Sequence, residues 1–170
     1  ARLQSLGDGL KLGGFALIGV TAYFAAYLRA VEVGGISLAV VLLYTAPAFV
    51  VVMARIFLKE EVTKPKLLGV FLVILGVSLV AFGGNGQGVN MSLGALIWGL
   101  IAGVSYASYY VVGKRLMERY APVTIYAFIL PVGALGLLPF VEFGEKSLVA
   151  WVNVGLLAFL STYLAYLIYF

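Results

Sequence analysis

The sequence contains no cysteine and no histidine. Disulfide frameworks, thiolate nucleophiles, Cys/His metal centres and histidine-based catalytic triads are therefore excluded. Charge is scarce as well, because only 11% of the 170 residues are charged, against about 25% in average soluble domains. Apolar residues make up 64% of the chain, and the mean hydropathy is +1.11. No water-soluble fold of this size hides so much apolar surface. The composition thus excludes a soluble enzyme, a nucleic-acid-binding protein and a disordered segment.

Five stretches without a charged residue divide the chain, at residues 12–28, 33–54, 67–113, 120–141 and 147–170. A membrane-spanning helix needs about 20 residues. The longest stretch has room for two helices, and residues 83–90, with four Gly and two Asn, separate them as a turn. The pattern predicts an all-α, polytopic transmembrane bundle of six helices, at about 13–31, 35–56, 66–82, 91–113, 122–141 and 148–170.

Lysine and arginine are distributed unevenly between the two sides of this predicted bundle. Short connections make neighbouring helices antiparallel, which places nine basic residues on one side and only Arg29 and Lys146 on the other. Because basic loops face the cytoplasm, we expect both ends of the sequence to be cytoplasmic and the 83–90 turn to lie outside. The expected location is the cell inner membrane. The expected partner is the lipid bilayer, and no nucleic-acid partner is expected.

A proline and a short charged connection predict where the helices bend and begin. Pro47 removes one backbone hydrogen bond from the second helix, and Tyr44 and Thr45 lie within a turn of the freed carbonyl. The bend is either a tolerated kink or part of a hinge beside a cavity. Thr63 fits the N-cap of the third helix, and Glu60 lies near that helix's positive end. We therefore interpret Pro47, Glu60 and Thr63 as structural residues.

Small residues recur every four positions on the fourth helix and predict a close helix contact. The stripe consists of Ala95, Gly99, Gly103 and Ala107. Gly99 and Gly103 form a GxxxG pattern, which lets a second helix approach. Ser105 and Tyr109 fall on nearly the opposite face, which looks either at a cavity or at another helix.

Tyrosine is frequent, with eleven residues, and several lie at depths where the hydroxyl needs a partner. They either pack between helices or line an aromatic substrate pocket. No charged residue lies near a predicted helix centre, so such a pocket suits a neutral, zwitterionic or amphipathic small molecule. The third helix, with Ser78 as its only polar side chain within 67–82, should stand at the periphery. The candidate substrate-binding residues are Tyr23, Tyr27, Tyr44, Thr45, Ser105, Tyr109, Thr162, Tyr163 and Tyr166. No residue is assigned to catalysis, to a metal or to a cofactor.

The order of several short motifs resembles a known family. In the first half these are Pro47, Leu58 with Glu60, Thr63, Gly69 and Gly76-Val77. In the second half they are Gly94-Ala95-Leu96, Ser105 to Tyr110, Lys114-Arg115 and Pro122. Across nearly its whole length the chain resembles an EamA-type transporter of the drug/metabolite transporter superfamily.

This resemblance implies a fold of ten helices in two inverted five-helix repeats, of which the chain would be helices three to eight. Residues 1–82 would then end the first repeat, 83–90 would be the outer loop, and 91–170 would begin the second. The resemblance adds Gly69 to the structural residues. It implies a non-enzymatic transporter that exports small metabolites, amino acids or drug-like compounds by alternating access, with the coupling ion left open. The alternative function is a membrane scaffold or subunit whose helices only pack.

Overall fold

The computed structural model describes residues 6–83, 92–141, 144–145 and 147–160, and the described residues are helical apart from short connections. The prediction of an all-α fold is confirmed. The chain divides into two compact units, Ala1–Pro139 and Phe140–Phe170. The first contains α1 (Leu6–Ala16), α2 (Tyr23–Leu43), α3 (Ala46–Met53), α4 (Lys64–Gly83), α5 (Leu93–Met117) and α6 (Pro122–Leu137). The second contains α7 (Leu148–Leu157).

Three helical stretches in the described part of the chain are long and apolar enough to cross a membrane. They are Gly7–Leu43, Leu93–Met117 and Pro122–Phe140. The apolar helices Ala46–Leu58 and Leu148–Leu160 are shorter. Many large apolar side chains on the described helices are exposed, including Ile18, Phe71 and Leu156. An apolar surface of this extent is stable against lipid and not against water, so the protein is a membrane protein.

The first two predicted helices follow one another almost without a loop. Leu6–Leu43 is helical throughout, with a π-helical segment at Leu17–Ala22, and only Gly35 departs from helical geometry. Gly35 has φ 81° and ψ 162°, a conformation that is essentially restricted to glycine. The connection expected near 31–35 is therefore a single backbone break at this residue.

The second predicted helix, 35–56, is not continuous, and this expectation is corrected. The chain turns at Tyr44 and Thr45, and α3 begins at Ala46 with Pro47 in its first turn. The Thr45 hydroxyl donates to the Leu42 carbonyl at 2.6 Å, and the Thr45 N–H reaches the same oxygen at 3.1 Å. A proline near a helix N-terminus sacrifices no hydrogen bond that the helix needs, so the predicted mid-helix kink is instead a helix start.

Small residues dominate the contacts between helices. Nine alanines are buried in the part of the chain that the structure describes, among them Ala16, Ala39, Ala95 and Ala102 with no exposed surface. Helix α1 packs on α6 through a buried cluster around Phe15, and α2 packs on α5 through a cluster of Leu38, Leu42 and Ala95. Small side chains allow backbones to approach closely where lipid supplies no hydrophobic driving force between helices.

The stripe on α5 contacts α2, as the sequence indicates. Ala95, Gly99, Gly103 and Ala107 are all buried. A Cβ atom at Gly99 would come within 2.7 Å of the Leu42 Cβ, and one at Gly103 would meet the Thr45 hydroxyl at 3.3 Å. These glycines therefore set the distance between α2 and α5.

Candidate functional site

A cavity of about 880 Å³ lies between α2, α3, α4 and α5. Its apolar wall is formed mainly by the end of α2 and by α3, with Leu43, Pro47 and Val50 among the lining residues. Its charged end comes from the connection between α3 and α4 and from the first turn of α4, with Glu60, Glu61 and Lys66. A volume of this size accommodates a drug-sized molecule, and apolar walls with few polar groups are typical of small-molecule sites.

Five tyrosines line this cavity, and we call them the tyrosine wall: Tyr23, Tyr27, Tyr44, Tyr106 and Tyr110. The Tyr23 and Tyr27 ring centroids are 6.2 Å apart, those of Tyr23 and Tyr106 are 5.2 Å apart, and those of Tyr106 and Tyr110 are 5.1 Å apart. The Tyr106 and Tyr110 hydroxyl oxygens lie 3.1 Å apart in a hydrogen bond. Rings from α2 and α5 thus form one continuous aromatic surface.

Three of the predicted binding residues belong to the tyrosine wall, and three others lie elsewhere. Tyr23, Tyr27 and Tyr44 line the cavity, whereas Thr45, Ser105 and Tyr109 are not among its lining residues.

Thr45 is tied to the Leu42 carbonyl, and Ser105 is buried with 6% of its surface exposed. Tyr109 stacks on Phe15, with centroids 5.4 Å apart. The remaining three predictions, Thr162, Tyr163 and Tyr166, lie outside the described residues.

Tyr106 and Tyr110 were missed because the cavity was expected on the wrong face of α5. At 100° per residue, both fall within about 20° of Gly99 around the helix axis. They therefore continue the small-residue stripe and do not lie opposite it. The signal was present in the sequence: where a stripe of small residues gives way to large ones, the neighbouring helix must move away, and a space opens.

The third predicted helix, expected at the periphery, contributes to the cavity, and that expectation is corrected. Lys66, Gly69 and Val70 of α4 line it. Most other side chains of this helix are exposed, which is typical of a helix at the periphery. Apolar composition alone placed the helix at the edge, but its first two turns lean over the charged end of the cavity.

Glu60 connects two helices at that end. Its carboxylate accepts from the Lys66 ammonium at 2.9 Å and from the Lys114 ammonium at 2.6 Å. Hydrogen bonds from these two lysines, with Lys114 the stronger influence, lower the pKa of Glu60 to about 2. Lys59 precedes it in the left-handed conformation, with φ 56°, and ends the π-helical segment Ala54–Leu58. This turn directs the carboxylate towards both lysines.

The other residues singled out as structural occupy the same region. Pro47 lines the cavity from the first turn of α3. Thr63 immediately precedes α4, and its carbonyl accepts from the Leu67 N–H at 3.1 Å. Gly69 lines the cavity, and a Cβ atom there would meet nothing within 4 Å.

The described residues contain no group of three metal-ligating side chains. The cavity therefore offers aromatic faces, aliphatic surface and carboxylates, and no metal ligand set.

Comparison with known proteins identifies the family. A family model described as the EamA-like transporter family matches residues 2–82 and 93–170. An uncharacterized transporter of Archaeoglobus fulgidus is 30% identical over 164 residues, which covers 92% of this chain and 56% of that protein. An uncharacterized transporter of Bacillus subtilis is 29% identical over 131 residues, covering 71% of this chain and 43% of that protein.

An uncharacterized inner membrane transporter of Salmonella typhimurium is 26% identical over 141 residues, covering 81% of this chain and 46% of that protein. No solved structure gives a significant match. The chain spans about half the length of the curated relatives it matches. Together with its apolar helices, the family match over most of its residues leads to one conclusion: this chain belongs to the EamA-like transporter family.

Proposed function

We propose that the full-length protein exports small metabolites, amino acids or drug-like compounds by alternating access, and that the cavity of this chain is part of its substrate site. The residues proposed to contact substrate are Tyr23, Tyr27, Tyr44, Tyr106 and Tyr110. Thr45, Ser105, Tyr109, Thr162, Tyr163 and Tyr166 stay predictions without this geometric support.

The observation that carries the proposal is an unfilled space of about 880 Å³ walled by tyrosines. The cavity is partly open to its surroundings and is large enough for a drug-sized molecule. A transporter requires such a space, because its substrate must leave lipid and water and enter the bundle.

Breaks in the helices beside the cavity support alternating access. The chain is interrupted at Tyr44 and Thr45, and π-helical segments occupy Leu17–Ala22 and Ala54–Leu58. Discontinuous helices at mid-membrane depth are typical of transporter binding sites, and π-helical turns often occur at functional positions. Such breaks allow one part of the bundle to move against another without unfolding either.

The matched stretches support the proposed arrangement of the whole protein. The same family model matches residues 2–82 and 93–170, which favours two repeats with residues 83–90 as the outer connection. We propose inverted repeats in a ten-helix protein of the inner membrane, with both ends of this chain cytoplasmic. The excess of basic residues on one side supports that orientation.

A liposome experiment tests the function. Full-length protein is reconstituted into liposomes loaded with a defined mixture of amino acids, organic amines and neutral aromatic compounds, and mass spectrometry follows their release. We expect at least one compound to leave faster than from protein-free liposomes, and Tyr44→Ala to slow that release. Tyr44 is 55% exposed, so the substitution should leave the fold intact.

Phe71→Ala is the matched control, since Phe71 is an exposed aromatic of α4 that does not line the cavity. Equal release from protein-containing and protein-free liposomes, with folded protein in both variants, would favour the non-transporting scaffold. Equal slowing by both substitutions would argue against a substrate role for the cavity.

A further inference from the structure

We propose that the cavity selects an organic cation, an amine or quaternary ammonium that also carries an apolar group. This inference deepens the proposed function and rests on it, because it assumes that the cavity is the substrate site. The observation behind it is the combination of the tyrosine wall with the carboxylate of Glu61, which has no ion-pair partner among the described residues.

The tyrosine wall is the main electrostatic feature of the cavity outside its charged end. Apart from the five tyrosines, the lining residues supplied by α2, α3 and α5 are aliphatic or proline. The π-face of a tyrosine attracts a cation within about 6 Å of the ring centroid, and the attraction grows as water is excluded. Successive centroids of the wall on α2 and α5 are 5.1–6.2 Å apart, so one ammonium group can contact more than one ring.

At the charged end, the two lysines around Glu60 are already engaged with its carboxylate. Lys66 donates to the Glu60 carboxylate at 2.9 Å and to the Glu61 carbonyl at 3.3 Å. Lys114 donates to the same Glu60 carboxylate at 2.6 Å. An anion entering the cavity would have to compete with Glu60 for both ammonium groups.

Glu61 is in the opposite situation. Glu61 is one of the residues that line the cavity, and among the described residues no basic side chain forms an ion pair with its carboxylate. A cation can therefore approach the cavity along Glu61 and then contact the tyrosine wall. The carboxylate and the aromatic faces together replace part of the hydration that a cation loses on entering an apolar site.

A neutral amphipathic molecule would gain only from apolar burial and would make little use of this arrangement. A cationic and a neutral ligand can therefore be compared with two compounds that differ in a single atom. Benzyltrimethylammonium and neopentylbenzene have the same shape, but a charged nitrogen in the first is a neutral carbon in the second. Equilibrium dialysis of the full-length protein in detergent, corrected for partition into empty micelles, measures the binding of both.

We expect benzyltrimethylammonium to bind about 10-fold or more tightly than neopentylbenzene. Tyr110→Leu should weaken the cation by about 3- to 30-fold and change the neutral compound much less, because it removes a π-face and keeps apolar volume. Tyr110→Phe keeps the ring and should retain most of the cation affinity. Tyr110 is 52% exposed, so both variants should fold. Glu61→Gln should also weaken the cation selectively.

Equal affinity for the two compounds would overturn the proposal, and so would equal weakening of both by Tyr110→Leu. Failure of the cation to bind a protein that releases other compounds from liposomes would overturn the cation selectivity and leave the transport function standing. Selective binding of the cation without any release from liposomes would support the ligand chemistry and count against transport.

Discussion

Replacing Gly99 by alanine tests the close approach of α2 and α5. A Cβ atom at this position would lie within 2.7 Å of the Leu42 Cβ, a separation that real Cβ atoms essentially never show. The Leu42 Cβ is fixed to the backbone, so no rotamer change relieves the contact, and α2 must shift away from α5. Such overpacking costs about 1–3 kcal/mol.

The substitution also replaces a helical glycine by alanine, and this replacement by itself stabilises a helix by about 1 kcal/mol. The two effects oppose each other, and their sum predicts that Gly99→Ala lowers the free energy of unfolding by about 0–2 kcal/mol. Gly76→Ala on α4 is the matched control. A Cβ atom at Gly76 meets nothing within 4 Å, so this substitution should raise the free energy of unfolding by about 0.5–1 kcal/mol.

The assay is SDS titration of the full-length protein in mixed micelles, with helix content followed by circular dichroism. The double variant with Leu42→Gly isolates the contact, because it removes the Leu42 Cβ that the new methyl group would meet. Gly99→Ala should be less harmful in that background than in the native one. Stabilisation by Gly99→Ala equal to that by Gly76→Ala would refute the close approach of the two helices.

Three further expectations concern the break in the first helical stretch, the charged end and the topology. Gly35→Ala should lower the free energy of unfolding by about 1–3 kcal/mol, because its backbone conformation suits only glycine, and Gly14→Ala, in open space within α1, should not. A benign Gly35→Ala would contradict the break at this residue. Glu60 has a pKa of about 2 in the folded chain against an ordinary 4.5, so its stabilising effect should be full above pH 4.5 and be lost as pH falls through about 2. Glu60→Gln should flatten this acid response, and it should lower folded yield at neutral pH more than it changes substrate preference. A shift in preference at constant yield would make Glu60 a substrate ligand. Cysteines placed at Asn85 and Arg115 in this cysteine-free chain should react with impermeant reagents from opposite sides of the membrane, and reaction of both from one side would reject the topology.

The positions of the helices followed from the sequence because the bilayer imposes them. A charged side chain or an unpaired backbone group is costly in lipid, so the charge-free stretches had to coincide with helices. The α4 prediction of 66–82 against the observed Lys64–Gly83 illustrates the agreement. The helix contact made by Gly99 and Gly103 could also be predicted from the sequence, because four small residues at four-residue spacing are typical of close helix packing.

The residues that line the cavity could be predicted only in part from the sequence. Tyr23, Tyr27 and Tyr44 were identified as wall residues, but Tyr106 and Tyr110 were not, because helical periodicity gives angles around one axis and not the position of the neighbouring helix. The helix start at Ala46 was mistaken for a kink at Pro47, since a proline is compatible with both.

The sequence by itself determined that this chain is a helical membrane protein, the approximate positions of several of its helices, and which family it resembles. These properties depend on composition and on local spacing, which lipid solvation translates directly into structure. Only the tertiary structure decided which tyrosines share one cavity, that α4 covers its charged end, and that Glu60 is paired with Lys66 and Lys114. Those properties depend on contacts between residues that are far apart in the sequence, such as Tyr23 and Tyr106. The angle and distance between packed helices bring such residues together, and no local sequence pattern encodes that angle or that distance.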